Sequence, residues 1–413
     1  MNHRAFIHVS LVLMLFGGSA SNAATKAKII KNRGGEHASA AWFAYVLSAV
    51  QRNYFKPVSS YDLVYFAAQN MLEKLDPHSA FLPPRSFQQM RDDTSGEFGG
   101  IGLVVTKAPN KPVLVEEPID GSPAARAGIK KGDKISAVGG KSTLPMSLDD
   151  AVNKMKGRRG TPVIITVERK GWSGPRDFHL IRDYIRMKSS KYRTLEPGYG
   201  YISISMFTEH TDYYVKQGLK KLLEMNNPLK GLILDLRGNP GGLLDQSVRV
   251  AELFMEKGKV VSTIGRGGKK DELFAQGSDL VPGVPMVVLV NAGSASAAEI
   301  LAGALQDHKR ALIVGEPTFG KGSVQSIIEL DDGSGLKLTV ARYYTPNGRS
   351  IQETGIIPDV VVRRPVSWKP RGDGTSAQIE NDYVEFVGLE TLKAWSKFGS
   401  SIHEKKKGEK SGG

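Results

Sequence analysis

The sequence predicts a multidomain protein of the α/β class. An N-terminal helical domain is followed by a β-rich domain and then by a core with a mixed sheet, so the chain as a whole is α+β. Three observations support this fold class. Apolar residues recur at helical spacing up to about residue 75, and short strand patterns with glycine turns fill residues 96–183. After residue 187, an apolar strand pattern followed by a glycine-containing turn and a helix occurs twice. This succession is typical of a sheet with helices on its faces.

Length and composition limit the possible functions. The 413 residues suffice for two or three domains, and 40% are hydrophobic, so a sizeable core is expected. The formal net charge is +14, but no helix-turn-helix, RNA-binding or basic-helix pattern accompanies it. The excess of basic residues is interpreted as solvated surface charge or as attraction to anionic membrane or cell-wall surfaces. Nucleic acid is not expected as a partner.

Cysteine and histidine usage excludes several kinds of site. The chain has no cysteine, which excludes a disulfide framework, thiolate catalysis and cysteine-based metal sites. Its eight histidines are scattered without the spacing of a metal site. We expect neither a metal nor a cofactor.

Residues 1–23 have the pattern of a secretory signal peptide. Arg4 precedes an apolar run, Ala5–Phe16, that is too short to cross a membrane, and small residues follow up to Ala23. We predict cleavage after Ala23, with an uncleaved anchor as the alternative. Export of a cysteine-free chain is typical of the bacterial periplasm. A periplasmic or otherwise exported protein is expected, membrane-associated if the leader is retained.

Residues 36–95 are predicted to form an N-terminal helical domain. Apolar side chains at helical spacing indicate one helix up to about Tyr54 and a second from Ser59 or Ser60 to Leu75. The two helices are expected to bury an apolar face, and nothing in them indicates chemistry.

Residues 96–183 are predicted to form a β-rich domain. In the string GGIGLVV, the glycines allow successive backbone N–H groups to converge on an anion, and the following strand can pair with an extended peptide. The whole series, which continues through SPAARAGIKKGDKI and SLDDAVNKMKG, resembles a PDZ domain of the bacterial type. The resemblance implies that Gly100, Ile101, Gly102 and Leu103 bind the terminal carboxylate of a peptide. A β-rich scaffold with a sealed groove is the alternative.

Residues 184–364 are predicted to form the core. Leu232–Leu236 is apolar except for Asp235, as expected of a buried central strand, and it runs into the turn RGNPGG. A turn between strand and helix exposes backbone donors at the carboxyl edge of a sheet. Considered alone, Gly241 and Gly242 are also consistent with a tight structural turn.

The second strand–turn–helix segment of the core carries a serine. Val287–Val290 is predicted to be a strand and Ser296–Gln306 a helix, and a glycine-rich loop with Lys321 follows the next strand. A serine hydroxyl at the first turn of a helix lies beside unpaired backbone N–H groups, the donors from which oxyanion holes are built. His308 lies at the far end of this helix. Lys321 can act as the base if burial and its neighbours lower its pKa, because a neutral amine can accept the serine proton.

The strings SASAAEILAGALQD and GEPTFGKGSVQ resemble the active-site region of the carboxyl-terminal processing proteases, which use a serine–lysine dyad. The resemblance covers about residues 36–364 and includes LDPHSAFLPP and DLRGNPGG. It implies that Ser296 is the nucleophile and Lys321 the general base. Gln325, interpreted as one helical turn beyond the lysine, would orient it.

The same resemblance implies the remaining site residues. Either Gly241 or Gly242, together with Ala297, would donate the N–H groups of the oxyanion hole, and Asp307 would support the site. The chain departs from the family pattern at Ala298, where a second serine is common.

Residues 365–413 are predicted to continue beyond the core. A proline- and glycine-rich linker extends to about Ala377, and Ile379–Phe398 has the apolar spacing of a helix. A charged, glycine-ended tail from Ser400 is expected to be disordered.

The sequence therefore predicts a serine endopeptidase of the cell envelope that recognises substrate C-termini through a PDZ domain. Expected partners are protein or peptide substrates with apolar C-termini. The resemblance also suggests an adaptor lipoprotein and a homo-oligomer. One alternative is a PDZ-bearing scaffold or chaperone with an inactive core. A trypsin-like Ser-His-Asp protease with a PDZ domain is the other, but that class expects a histidine before a GxSxG nucleophile in β-barrels.

Overall fold

The computed structural model describes residues 36–363 and 382–408. The predicted signal peptide and the predicted linker lie outside the described residues. The chain divides into two compact units after Pro77.

The first unit contains two helices, α1 (Glu36–Asn53) and α2 (Ser60–Glu73). Ser59 is the N-cap of α2, where its side chain accepts a hydrogen bond from the backbone N–H of Asp62. Leu72 is the only fully buried residue in the described part of this unit. The prediction that these helices bury an apolar face is therefore wrong for this unit, because two helices offer too little surface to cover one another. Large apolar side chains remain exposed: Trp42, Phe43, Tyr45, Val50, Tyr54, Phe55, Tyr61, Val64, Phe66, Met71 and Leu75.

The second unit begins with a short strand, β1 (Ala80–Leu82), and a helix, α3 (Pro84–Ser95). β1 pairs with the strand Gly335–Tyr344 of the core. The ring of Phe87 lies beside Gly335, where a Cβ atom would come within 2.6 Å of the ring. These contacts attach residues 78–95 to the second unit, so the division of the chain differs from the predicted boundary at residue 95.

A β-rich domain follows. Its elements are β2 (Glu97–Gly100), β3 (Leu103–Thr106), β4 (Val113–Pro118), α4 (Pro123–Arg126), β5 (Lys134–Val138), β6 (Lys141–Ser142), α5 (Leu148–Met155), β7 (Pro162–Glu168), β8 (Arg176–Ile181) and β9 (Asp183–Arg186). The main sheet has the order β3-β4-β5-β7-β8, with β6 paired to β5, while β2 pairs separately with β9. Buried Val163, Ile165 and Val167 alternate with more exposed residues along β7, as a one-sided sheet requires. The edge position of β3 leaves one side of this strand unpaired in its sheet.

The core contains two further sheets. Its elements are β10 (Ser190–Glu196), β11 (Tyr199–Ile204), α6 (Thr211–Met225), β12 (Gly231–Asp235), α7 (Leu244–Ala251), β13 (Gly258–Gly265), β14 (Lys270–Ala275), β15 (Met286–Val290), α8 (Ala297–Asp307), β16 (Leu312–Gly315), β17 (Ser323–Glu329), β18 (Gly335–Tyr344), β19 (Val360–Val361) and α9 (Tyr383–Gly408). One sheet has the order β10-β11-β12-β15-β16-β19, in which β10 is antiparallel and the other neighbours are parallel. The other joins β1, β18, β13 and β14, with β17 on β18. The predicted fold class, with a mixed-sheet core, is confirmed.

Helices cover both faces of the mixed sheet. Apolar residues of α6, α7 and α8 join one buried cluster with alternate residues of β12 and β15, whereas Ile233 and Leu289 face α9. Gly388 permits this close approach, because a Cβ atom there would lie 2.9 Å from Leu289 Cδ2. Burial on both faces explains why β12 and β15 are almost wholly apolar. α9 continues to Gly408, beyond the predicted end at Phe398.

In residues 36–363 and 382–408, no helix has the length and apolar character needed to cross a membrane.

Candidate active site

Three loops meet at the carboxyl edge of the mixed sheet. They follow β12, β15 and β16, and parallel neighbours bring the ends of these strands together. Ser294 Oγ donates to the carbonyl oxygen of Leu236 at 2.8 Å, and its own carbonyl accepts from Phe319 N at 3.0 Å. Ala295 N donates to the carbonyl of Asn239 at 2.9 Å. The turn after β15 is therefore bonded to both neighbouring loops.

Ser296 occupies the last position of this turn and is the N-cap of α8. Its backbone has φ 54° and ψ −114°, a conformation that is uncommon for a residue other than glycine. Such conformations cost about 1–3 kcal/mol each and cluster at active sites. The serine is half-buried, so its side chain remains partly accessible.

Lys321 lies in the loop after β16 and is also half-buried. Burial lowers the pKa of its amine, the nearby positive charge of Lys337 lowers it further, and Glu299 acts in the opposite direction. Removal of an ammonium group from water disfavours its charged form. The position of Lys321 therefore favours the neutral amine that a general base requires.

Ser296, Lys321 and Gln325 line one cleft of about 1020 Å³. Apolar side chains supply much of its remaining wall: Phe87, Met90, Leu243, Leu244, Leu273 and Ile327. Among the described residues that line this cleft, none is a histidine. No hydrogen bond joins Ser296 Oγ to Lys321 Nζ within the described residues. Catalytic hydrogen bonds often become short only when substrate is bound.

Glu299 links the serine turn to the lysine loop. Its fully buried carboxylate accepts hydrogen bonds from Ser296 N at 2.8 Å, Lys321 N at 2.9 Å, Gly320 N at 2.7 Å and Thr318 Oγ1 at 2.5 Å. One side chain thus fixes the backbone of both candidate catalytic residues. This role of Glu299 was not predicted from the sequence, although the capping pattern Ser-x-x-Glu at the start of α8 could have indicated it.

The backbone donors near Ser296 differ in availability. The N–H of Gly241 donates to Asn239 Oδ1 at 2.8 Å and is buried. Gly242 is exposed, and in the described part of the chain neither its N–H nor that of Ala297 donates a hydrogen bond. A Cβ atom on Gly241 would lie 2.8 Å from Ser296 Cβ. Gly241 therefore allows the two turns to approach, while Gly242 and Ala297 have the free N–H groups.

Gln325 lies on a strand. The interpretation of Lys321 and Gln325 as one helical turn apart is wrong, because Ser323–Glu329 pairs antiparallel with β18. The amide of Gln325 donates to Ser323 O at 3.0 Å and to Ser323 Oγ at 2.7 Å. It lines the same cleft as Lys321, but no hydrogen bond between these two side chains occurs in the described structure.

Asp307 lies at the opposite end of α8 from Ser296. Its carboxylate forms an ion pair with Arg349 and accepts a hydrogen bond from Asn347 N at 2.8 Å. Asp307 therefore holds the turn after β18 and does not line the cleft.

Two other candidate groups have structural partners. Ser294 is fully buried, with hydrogen bonds to Leu236 O and from Asn291 N. His308 is exposed at the far end of α8, where its Nε2 lies 2.7 Å from the carbonyl oxygen of Lys259. Neither lines the cleft around Ser296.

The loop between β2 and β3 contains the predicted carboxylate-binding residues. Gly100 ends β2, Leu103 begins β3, and Ile101 is buried in the core of the β-rich domain. Gly102 has φ 75°, and its carbonyl accepts hydrogen bonds from Ser122 Oγ and Ile119 N, each at 3.0 Å. Within the described residues, the N–H groups of Ile101 and Gly102 donate no hydrogen bond. The loop is fixed through its carbonyls and keeps two N–H groups free.

No group of three or more potential metal-ligating side chains occurs in residues 36–363 and 382–408.

Comparisons with known proteins agree with these motifs. The sequence profile of peptidase family S41 matches residues 198–362, and that of a PDZ domain matches residues 114–169. A carboxy-terminal-processing protease of Bartonella bacilliformis is 44% identical over 335 residues, which cover 80% of this chain and 76% of the relative. A carboxyl-terminal-processing protease of Synechocystis sp. is 39% identical over 317 residues, covering 75% and 74%. The solved photosystem II D1 C-terminal processing protease is 34% identical, with a TM-score of 0.46 over 78% of this chain and 92% of that one.

Proposed function

The chain belongs to peptidase family S41 as a PDZ-containing carboxyl-terminal processing protease, a serine peptidase, and on this premise we propose that it cleaves peptide bonds with a dyad of Ser296 and Lys321. One observation carries the proposal. The two residues line one cleft, and the buried carboxylate of Glu299 binds the backbone N–H of both. A half-buried lysine with a lowered pKa in the same cleft as a strained serine favours a working active site over an inactive scaffold.

In the proposed mechanism, Ser296 Oγ attacks the scissile carbonyl carbon while neutral Lys321 accepts the hydroxyl proton. The negative charge that develops on the carbonyl oxygen is stabilised by the free N–H groups of Gly242 and Ala297. The Lys321 ammonium then gives its proton to the leaving amine as the carbon–nitrogen bond breaks. A water molecule, deprotonated by the same lysine, hydrolyses the acyl-enzyme and restores Ser296.

The pH dependence of cleavage tests the role of the lysine. We expect kcat/KM to rise with pH through the lowered pKa of Lys321, because only the neutral amine accepts a proton. Lys337→Met removes a neighbouring positive charge that opposes protonation, so the rise should move to higher pH. The measurement is a pH–rate profile of wild-type enzyme and of this variant, with Lys337→Arg as the charge-conserving control. A wild-type profile that is flat from mildly acidic to alkaline pH would contradict the lysine base.

We further propose that the β-rich domain binds the terminal carboxylate of the substrate. Ile101 and Gly102 offer free N–H groups to a carboxylate, and the unpaired side of β3 offers hydrogen-bonding groups to an extended peptide. Only residues 187–189 separate this domain from β10. Peptide binding can therefore shift the domain from one position to another relative to the cleft. Such a shift requires that the peptide bind the two positions with different affinity.

Amidation of the substrate C-terminus tests this recognition. For a peptide that ends in small or apolar residues, we expect amidation to lower kcat/KM by about 10-fold or more, since a hydrogen-bonded charge is lost. Leu103→Asp should weaken cleavage of the free-acid peptide by repelling its carboxylate. Ile181→Asp, on an exposed residue of β8, is the control. Equal kcat/KM for both peptides and all proteins would refute carboxylate recognition while leaving the dyad unaffected.

The place of action is likewise a proposal. The apolar run and small residues of segment 1–23 support export to the periplasm, and fractionation of cells that produce chains with and without this segment would test it. Native mass measurement and affinity capture from envelope extracts would test the suggested homo-oligomer and adaptor lipoprotein.

A further inference from the structure

The start of α9 is bonded to the loop that carries Gly242. Arg237 lies in this loop two residues after the end of β12, and its side chain is 17% exposed. It forms ion pairs of 2.6 Å with Asp235 and 2.7 Å with Asp382, which lies 145 residues later in the chain. The side chain of Asp382 also accepts a hydrogen bond from Glu385 N in the first turn of α9. One carboxylate therefore stabilises both the helix start and Arg237.

A second ion pair fixes the same end of α9. Glu385, with a side chain 3% exposed, receives hydrogen bonds of 2.6 Å at both carboxylate oxygens from Arg193 on β10. The guanidinium of Arg193 lies 4.3 Å from the ring centroid of Tyr201, and Tyr201 OH donates to Asp235 at 2.7 Å. The contacts form a closed series. Asp382 pairs with Arg237 and Arg237 with Asp235, and Asp235 is connected through Tyr201, Arg193 and Glu385 to the first turn of α9. Such a closed network holds each member in a defined position.

The loop from Arg237 to Gly242 has separate anchors at its beginning and in its middle. Beyond Arg237, Gly238 N donates to Asn291 Oδ1 at 2.9 Å, and the Asn239 side chain donates to Ile204 O at 2.9 Å. These contacts secure the middle of the loop to the sheet and to the serine turn. Arg237 is the anchor at the beginning of the loop, and part of its pairing comes from α9.

We propose that Asp382 is a positioning residue for catalysis, which acts through Arg237 to place the Gly242 N–H against the substrate oxyanion. The inference rests on the proposed function, since it assigns Gly242 to the oxyanion hole. An alternative is that the ion pairs only attach α9 to the sheet. The apolar contacts of Leu389 and Leu392 with Ile233 and Val287 can provide that attachment without them.

The two explanations predict different kinetics. Asp382→Asn keeps the size and helix-capping ability of the side chain but removes its charge from Arg237. We expect kcat to fall about 10-fold with KM nearly unchanged, because the oxyanion contact is made only in the transition state and small displacements of such groups are costly. The pH at which activity rises should not move, since Lys321 is untouched. Asp382→Glu should recover part of the loss.

A matched control lies on the same helix. Lys393→Gln breaks the ion pair of 2.8 Å that joins α9 to Glu196 on β10, a residue outside the loop from Arg237 to Gly242. It should retain wild-type kcat. We would measure kcat, KM and thermal unfolding for the wild type and for the Asp382→Asn, Asp382→Glu and Lys393→Gln variants of the full chain.

The outcomes separate this inference from the proposed function. A wild-type kcat for Asp382→Asn, or an equal loss in Lys393→Gln, would overturn the positioning role even if Ser296→Ala is inactive. If Asp382→Asn unfolds, the comparison passes to Asp382→Ser, which also removes the charge but keeps a helix-capping side chain; a reduced kcat at unchanged KM supports the role, and an unchanged kcat refutes it. Retained activity in Ser296→Ala would instead refute the proposed function itself.

Discussion

Ser296→Ala and Lys321→Ala are each expected to lower kcat/KM by at least about 10⁴-fold while the protein remains folded, as for other catalytic groups that act as a unit. In the proposed mechanism the serine supplies the nucleophile and the lysine accepts its proton, so loss of either should stop acyl transfer. The double variant should be little worse than either single one. Lys321→Arg should also be inactive, because a guanidinium stays protonated. Steady-state cleavage of a peptide substrate, with circular dichroism as the check on folding, measures these effects.

Ser294→Ala is the control for the serine assignment. Ser294 is buried and donates to Leu236 O, so this change should cost about 1–2 kcal/mol of stability but retain substantial activity. Loss of activity in Ser294→Ala combined with normal activity in Ser296→Ala would reverse the assignment.

Glu299→Ala is expected to affect both stability and catalysis. It would leave the N–H groups of Ser296, Gly320 and Lys321 without their acceptor, which should cost about 3 kcal/mol or more in the free energy of unfolding. The serine turn and the lysine loop would lose their common anchor, so kcat/KM should fall by about 10²-fold or more. Urea unfolding together with steady-state kinetics would measure both effects.

Two variants separate the contributions of Glu299. Glu299→Gln retains the side-chain volume, but its amide NH₂ group would face backbone N–H groups that need an acceptor. Activity should therefore remain low even if part of the stability returns. Glu316→Ala, on an exposed glutamate of the same loop, should leave stability and activity unchanged. Near-normal kinetics in Glu299→Ala would contradict the linking role.

Local sequence patterns predicted most of the fold around the site. The apolar character of β12 and β15 follows from burial on both faces of a sheet. The glycine turn after β12 follows from the backbone donors needed at the carboxyl edge of that sheet. Ser296 and Lys321 were predicted from the resemblance of their motifs to a protease family, and both line the cleft at that edge. These elements are predictable because each depends on residues close in sequence.

Contacts between distant segments were not predictable in the same way. Nothing in the string RGNPGG shows that the Asn239 side chain takes the N–H of Gly241 and leaves that of Gly242 free. The spacing of Lys321 and Gln325 fits a helix as well as a strand, and pairing with β18 decides between them. The contact of Arg237 with Asp382 depends on where α9 docks. Such choices are made by tertiary packing.

The most direct test of the dyad is covalent labelling with an acylating or phosphonylating serine probe, followed by mass spectrometry of the digested protein. We expect the probe to modify the peptide containing Ser296, labelling to become faster as pH rises through the lowered pKa of Lys321, and labelling to be lost in Lys321→Ala. Labelling of another residue, or unchanged labelling of Ser296 in Lys321→Ala, would contradict the dyad.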